Sequence, residues 1–220
     1  MNTEKIHVYM MPGMAANISI FENITLPKNV FHIHFLHWML PEKGETIEKY
    51  AYRLSKEIKH DSPVLIGVSF GGIIVQEIAK HINIQKLIII SSVKSTSELP
   101  KKMLFAKYTK VHKLLPTGLI NNVELLAKYA FGETVNKRLA LYEKYLSIRD
   151  KYYIDWSIDQ IVNWKQEKAI QGIVHIHGTK DPVFPFSYIK DCISIENGTH
   201  IIIINKYKWF NENLPKIISS

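Results

Sequence analysis

A serine flanked by two glycines is the feature of this sequence that most strongly suggests chemistry. An apolar run ends at Gly67, Ser69 follows two residues later, and Gly71 precedes a segment with helical spacing. A serine on a sharp strand-to-helix bend projects its hydroxyl from the top of a sheet, where only small neighbours fit. The N–H groups at the start of the next helix are free to stabilise a developing negative charge. The pattern therefore favours Ser69 as a nucleophile over a serine in an ordinary tight turn.

Two residues further along the chain could activate this serine. Asp181 follows a late apolar run, and His200 lies near the end of the chain. Serine, acid and histidine thus occur in the chain order used by one large class of hydrolytic sites. A histidine can accept the hydroxyl proton near neutral pH, and a carboxylate can orient its ring and stabilise the imidazolium.

Other acids and histidines could in principle take these roles. Asp155 and Asp159 are alternative acids, and His175 and His177 are alternative bases. The two aspartates are four residues apart in helix-like sequence, where solvated acids are common. The two histidines alternate within a strand-like run. We therefore favour Asp181 as the acid.

Strand-like and helix-like segments alternate along most of the chain. Apolar runs predict six strands, at residues 5–10, 30–37, 63–68, 85–91, 172–177 and 191–196. Apolar residues at helical spacing predict helices at residues 45–59 and 72–81. This alternation predicts an α/β fold with a mostly parallel sheet of about six strands and helices on both faces.

The alternation stops in the middle of the chain. We expect one domain over residues 1–220, with a helical cap inserted at about residues 94–165, because this stretch is helix-patterned and rich in Lys and Tyr. Breaks at Pro100, Pro116 and Gly132 separate its segments. Its aromatic residues could line an apolar pocket, although packing is the commoner role; they are Phe105, Tyr108, Tyr129, Phe131, Tyr142, Tyr145, Tyr152, Tyr153, Trp156 and Trp164.

The positive charge of the chain is concentrated in this cap. The formal charge is +8 at pH 7, and residues 94–151 contain twelve Lys or Arg against five Asp or Glu, a net charge of +7. The basic residues are interleaved with apolar ones at helical spacing, and no nucleic-acid motif is present. We therefore expect a solvated basic face and no nucleic-acid binding, with a site for an acidic partner as the alternative.

The remaining composition limits the other classes of function. Cys192 is the only cysteine, so no internal disulfide can form, and its apolar surroundings favour a packing role. The apolar runs are far shorter than the ~20 residues that span a bilayer, and no signal-peptide pattern is visible. His32 and His34 lack a further metal ligand at a readable spacing. We expect a cytoplasmic protein without metal or cofactor, and the sequence does not predict its oligomeric state.

The sequence resembles the α/β-hydrolase superfamily over nearly its whole length. Four segments carry the resemblance: Met11-Pro12-Gly13-Met14, Gly67-Val68-Ser69-Phe70-Gly71-Gly72, His175-Ile176-His177-Gly178-Thr179-Lys180-Asp181 and Asn197-Gly198-Thr199-His200. The pattern is also similar to small capped members, such as carboxylesterases and pimeloyl-carrier-protein methyl ester esterases. The family usually begins with a hairpin of two extra strands, whereas the first predicted strand here leads directly to the Pro12-Gly13 loop, so the sheet should have about six strands.

The resemblance implies a serine hydrolase that cleaves a carboxylic ester or thioester through an acyl-enzyme. It implies Ser69, His200 and Asp181 as the catalytic triad. It also implies that the backbone N–H groups of Met14 and Phe70 hold the oxyanion. A small ester, possibly acidic or linked to a carrier protein, is the expected substrate. The same scaffold also carries C–C bond hydrolases, lyases, haloperoxidases and slow-turnover receptors, which are the alternatives.

Two positions depart from the family pattern. The family often has His-Gly in the oxyanion loop, whereas this chain has Pro12-Gly13. The backbone donor is retained, but the usual imidazole that anchors the loop is missing. In addition, four isoleucines follow His200, where relatives commonly have an aromatic or small residue.

Overall fold

A six-stranded parallel sheet is the centre of the computed structural model, which describes residues 5–109 and 144–220. The strands are β1 (Ile6–Met11), β2 (Phe31–Phe35), β3 (Val64–Val68), β4 (Lys86–Ile90), β5 (Val174–Gly178) and β6 (Ile193–Ile195). Their order is β2-β1-β3-β4-β5-β6, and neighbouring strands pair in parallel throughout. The predicted α/β class and the expectation of about six strands are confirmed.

Six helices are described beside the strands. They are α1 (Ile47–Ser55), α2 (Phe70–Ile78), α3 (Lys101–Thr109), α4 (Lys151–Asn163), α5 (Ile202–Asn205) and α6 (Tyr207–Ser219). Short 3-10 turns occur at Ile18–Phe21, Thr96–Glu98 and Phe186–Tyr188. The predicted helix at 45–59 is shorter than expected, because Thr46 caps α1 and the helix ends at Ser55. The helix predicted at 72–81 begins earlier, immediately after Ser69.

Both faces of the sheet are covered by apolar side chains. All five residues of β3 are buried, and successive residues of a strand point to opposite faces. Val64 and Ile66 pack in one apolar cluster with Phe210 of α6, whereas Leu65 packs in the other with Ile74 of α2. This arrangement explains why the central strands read as continuous apolar runs.

Parts of the predicted cap are described. Tyr145, Tyr153, Trp156 and Trp164 are buried in the core, whereas Phe105 and Tyr108 of α3 are 64% and 82% exposed. The buried members therefore pack, as is commoner for such residues. The predicted breaks at Pro116 and Gly132, and the aromatic residues Tyr129, Phe131 and Tyr142, lie outside the described residues.

Two other expectations from composition can be compared with the structure. Cys192 is half-buried beside the apolar cluster that contains α2, and burial raises the pKa of its thiol. A packing role is consistent with both observations. Within residues 5–109 and 144–220, no helix combines the length and apolar character that crossing a membrane requires.

Candidate active site

Ser69 occupies a strained bend between β3 and α2. Its backbone lies at φ 53° and ψ −121°, a region that residues other than glycine rarely adopt. The Ser69 N–H donates to the Ile90 carbonyl of β4 at 2.9 Å, and its own carbonyl accepts from the Ser92 hydroxyl at 2.7 Å. A Cβ atom on Gly67 or Gly71 would lie 2.3 Å from a backbone oxygen, so both positions require glycine. The bend thus holds the serine at the carboxyl end of the central strand.

A continuous chain of hydrogen bonds joins the serine to a histidine and an aspartate. The His200 Nδ1 atom lies 2.8 Å from Asp181 Oδ2, and His200 Nε2 lies 2.9 Å from Ser69 Oγ. A carboxylate can only accept, so His200 donates from Nδ1 and accepts the hydroxyl hydrogen of Ser69 at Nε2. The structure therefore brings together the three residues that the sequence nominated, with the tautomer that general-base chemistry needs.

The Asp181 carboxylate is held by its own turn after β5. Its Oδ1 atom accepts the N–H groups of Val183 at 2.8 Å and Phe184 at 3.0 Å, which leaves Oδ2 for His200. Burial opposes ionisation of this carboxyl, but the charge of His200 and its hydrogen bond outweigh burial and lower the pKa of Asp181. The group is therefore an anion at neutral pH, as a partner for an imidazolium must be.

Two histidines of β5 lie behind the acid. The His177 Nε2 atom donates to the Phe184 carbonyl at 2.8 Å and lies 3.5 Å from Asp181 Oδ2. Its Nδ1 atom then accepts from His175 Nε2 at 3.1 Å. Burial lowers the pKa of both imidazoles, to about 3 for His175. These neutral rings support the turn that carries the acid, a role that their alternation along the sequence did not reveal.

The other candidate acids make different contacts. On α4, Asp155 pairs with Lys151, and the Asp159 side chain accepts from Asn163 Nδ2 at 3.2 Å. Both are described on a helix rather than on the turn that follows β5. Neither aspartate is described in the contact with His200 that Asp181 makes.

The loop after β1 lies directly beside the serine. A Cβ atom on Gly13 would be 3.3 Å from Ser69 Cβ and 4.0 Å from Ser69 Oγ. Within the described residues, neither the Met14 N–H nor the Phe70 N–H donates to a protein acceptor. Phe70 is also the first residue of α2, where an N–H has no partner in its own helix. Both predicted donors are therefore without a protein acceptor among the described residues, and Gly13, the residue before Met14, lies beside Ser69.

Trp38 anchors this loop and was not singled out in the sequence. Its Nε1–H donates to the Gly13 carbonyl at 2.9 Å, and its ring stacks on Phe70 at a centroid distance of 5.3 Å. The Ala16 N–H donates to the same carbonyl at 3.1 Å. An aromatic residue a few positions after an edge strand carries no local signal of this role, which only the pairing of β1 with β2 creates.

The isoleucines after His200 also have a structural explanation. Ile202 and Ile203 belong to α5 and are buried in the apolar cluster that contains β3 and α6. The Gly198 N–H donates to Ile195 at 3.0 Å, and a Cβ on Gly198 would lie 2.6 Å from Ile202 Cγ2. The histidine loop is therefore fixed to the sheet by apolar packing immediately behind it.

Comparison with known proteins gives a uniform result at the level of fold. No protein-family model and no curated protein sequence matches the chain. An esterase from Exiguobacterium antarcticum is 18% identical, with a TM-score of 0.68 over 100% of this chain and 94% of its own. A bromoperoxidase from Bacillus anthracis is 15% identical, with a TM-score of 0.73 over 100% and 94%.

A third solved structure names the architecture directly. An alpha/beta hydrolase fold protein from Burkholderia ambifaria is 12% identical, with a TM-score of 0.69 over 97% of this chain and 91% of its own. Identities this low show similarity of fold alone. An esterase and a bromoperoxidase also catalyse different reactions, so the fold does not decide between them. The parallel sheet, the strained serine after β3 and these matches together show that the chain has the α/β-hydrolase fold.

Proposed function

We propose that the protein is a serine hydrolase that cleaves a carboxylic ester or thioester through an acyl-enzyme. The observation that carries the proposal is the unbroken chain of hydrogen bonds from Ser69 through His200 to Asp181, which starts at a strained serine. The esterase from Exiguobacterium antarcticum provides supporting similarity of fold. We further propose a cytoplasmic location, where a single cysteine without a disulfide partner is ordinary.

The proposed reaction begins with attack of Ser69 Oγ on the substrate carbonyl carbon. The hydroxyl proton passes to His200 Nε2, and Asp181 stabilises the resulting imidazolium through Nδ1–H. The carbonyl oxygen becomes an oxyanion, which the N–H groups of Met14 and Phe70 would bind. Collapse breaks the bond to the alcohol or thiol, which leaves with the proton from His200. Water then attacks the acyl-enzyme, with His200 again as the base.

An acidic or carrier-linked substrate is the narrower part of the proposal. Lys101 and Lys102 are exposed on α3, close in sequence to the exposed rings of Phe105 and Tyr108. Such a surface could attract a carboxylate or phosphate while contacting an apolar chain. Lys110 lies outside the described residues.

The substrate class can be tested by reversing these charges. Changing Lys101 and Lys102 together to Glu should raise the KM for an acidic ester and leave the KM for a neutral ester of equal chain length unchanged. Equal effects on both esters, or no effect on either, would reject the acidic substrate.

Covalent labelling tests the proposed nucleophile. A fluorophosphonate should add one group to the native protein, detected by intact mass, because only an activated serine attacks it readily. Labelling should be lost in Ser69→Ala and His200→Ala. Ser194→Ala is the matched control, since Ser194 is an exposed serine. Persistent labelling in Ser69→Ala would overturn the assignment.

Ester turnover tests the proposed acid. Asp181→Asn should slow ester turnover by a factor on the order of 10⁴, as loss of the orienting carboxylate does in related sites. Asp155→Asn removes an aspartate from α4 and should leave turnover unchanged. A folded Asp181→Asn protein with native activity would contradict the proposed role. Stoichiometric labelling without sustained ester turnover would instead favour a slow-turnover receptor.

A further inference from the structure

Four histidines lie close together on one face at the edge of the sheet, and none of them takes part in the proposed ester cleavage. His7 lies near the start of β1, His32 and His34 lie on the edge strand β2, and His60 follows α1. Strand register places His7 directly opposite His32, and Tyr9 opposite His34. Because alternate residues of a strand share a face, these side chains project to the same side.

The ring nitrogens of three of these histidines converge. One ligand nitrogen from each of His7, His32 and His34 lies within 4.8 Å of the others, and His7 Nδ1 is 2.9 Å from His34 Nε2. Zinc-bound nitrogens at about 2.0–2.1 Å from a tetrahedral ion are separated by about 3.3 Å. Small rotations of side chains would therefore bring the three nitrogens to the separation that a metal ion requires.

His60 and Tyr9 hold the cluster in place. The His60 ring stacks on His7, with centroids 3.5 Å apart and planes inclined by 11°. The Tyr9 hydroxyl accepts the Lys59 N–H at 3.1 Å and shares a hydrogen bond with His60 Nδ1 at 2.7 Å. The stacked and hydrogen-bonded His60 ring therefore restricts the orientation of the His7 ring.

We propose that His7, His32 and His34 form a binding site for a divalent transition metal ion of the zinc, copper and nickel class. Three imidazoles without a carboxylate favour these ions over magnesium and calcium, which prefer oxygen ligands. His32 is exposed, so water can complete the coordination. Sequence spacing offered only His32 and His34, and the third ligand comes from the parallel pairing of β1 with β2.

The position of the site predicts a structural effect. His7 and His32 lie near the amino ends of their strands, whereas Ser69 lies at the carboxyl end of β3. Among the described strands, β2 pairs with β1 alone, so coordination would add a further link between this edge strand and β1. An ion that binds only the folded chain raises its stability without entering the proposed hydrolytic reaction.

Zinc titration of the full chain, prepared metal-free and without a polyhistidine tag, tests the proposal. Calorimetry should detect one equivalent of Zn²⁺, and the thermal unfolding midpoint should rise with zinc concentration, whereas Mg²⁺ should have no effect. His34→Gln should weaken zinc binding at least tenfold. His37→Gln is the matched control, because His37 is an exposed histidine just beyond β2.

A second variant keeps the test independent of folding defects. His32→Gln changes an exposed side chain, so the protein should fold while zinc affinity falls at least tenfold. Zinc affinity unchanged in His32→Gln and His34→Gln, or no saturable zinc binding by the native chain, would overturn the proposal. Ser69→Ala should bind zinc as the native chain does, which separates this proposal from the hydrolase assignment.

Discussion

Burial of His175 on β5 should make the protein sensitive to mild acid. Its side chain is only 2% exposed, and Nδ1 has no hydrogen-bond partner among the described residues. Burial, together with the charge of His177, lowers the pKa of His175 to about 3. A histidine in the unfolded chain titrates near about 6.5. Below that pH the unfolded chain therefore binds a proton that the folded chain does not, and stability falls.

The size of this effect follows from the two pKa values. Each pH unit below about 6.5 lowers the free energy of unfolding by about 1.4 kcal/mol, until the folded imidazole also protonates near pH 3. At pH 5 the cost is therefore about 2 kcal/mol, and above pH 7 it is close to zero. In His175→Gln this contribution disappears, while an amide can still donate to His177 Nδ1. The variant should lose about 2 kcal/mol less than the native protein between pH 7.5 and pH 5.

Urea unfolding at the two pH values measures this difference directly. Titrating groups that lie apart from residue 175 contribute equally in both proteins and cancel in the comparison, whereas His177 contacts this residue and does not cancel. His37→Gln controls for removal of one histidine from the chain, because this side chain is exposed. If native protein and His175→Gln lose the same free energy of unfolding between pH 7.5 and pH 5, the reasoning from burial is wrong.

Two further predictions concern the loop beside the serine, and both use the rate of fluorophosphonate labelling. A methyl group in Gly71→Ala would lie 2.3 Å from the Pro12 carbonyl oxygen. We expect labelling to slow at least tenfold and the free energy of unfolding to fall by about 2 kcal/mol. A variant with the native labelling rate and native stability would show that this position tolerates a methyl group. Trp38→Phe keeps a ring on Phe70 but removes the donor to the Gly13 carbonyl. Loss of this hydrogen bond, worth about 1 kcal/mol, should slow labelling roughly fivefold. An unchanged rate would exclude this anchoring role.

The parts of the fold that were predictable depend on neighbouring residues in the sequence. Apolar runs located all six strands, and β3 and β4 are the clearest because strands buried on both faces have no polar alternation. The bend at Ser69 was predictable because both glycines that it requires lie within two residues of it. Strand ends were less accurate: the run at residues 191–196 contains only the three-residue strand Ile193–Ile195. Its flanking Asp191 and Asn197 adopt positive φ, which composition does not reveal.

Contacts between strands were much harder to predict. His7 and His32 are 25 residues apart in sequence, and only the register of β1 on β2 makes them neighbours. His177 contacts the turn of Asp181 from only four residues away, but the strand pattern around it does not indicate this contact. Each histidine has an ordinary strand pattern around it, so no local signal distinguishes a cluster from surface residues. From the sequence alone, the nucleophile is therefore easier to predict than the groups that support it.

The Pro12-Gly13 loop shows how a missing anchor can be replaced from elsewhere in the fold. The Gly13 carbonyl accepts two donors, Trp38 Nε1–H and the Ala16 N–H, so its orientation is fixed without an imidazole. Pro12 restricts φ at the preceding position and removes a competing donor. With the carbonyl held in this way, the next N–H, that of Met14, is left without a protein acceptor among the described residues. Because Trp38 also stacks on Phe70, one side chain supports both proposed oxyanion donors. Loss of the usual histidine is thus compatible with a formed oxyanion site, since a backbone donor needs a fixed peptide plane rather than a particular side chain beside it.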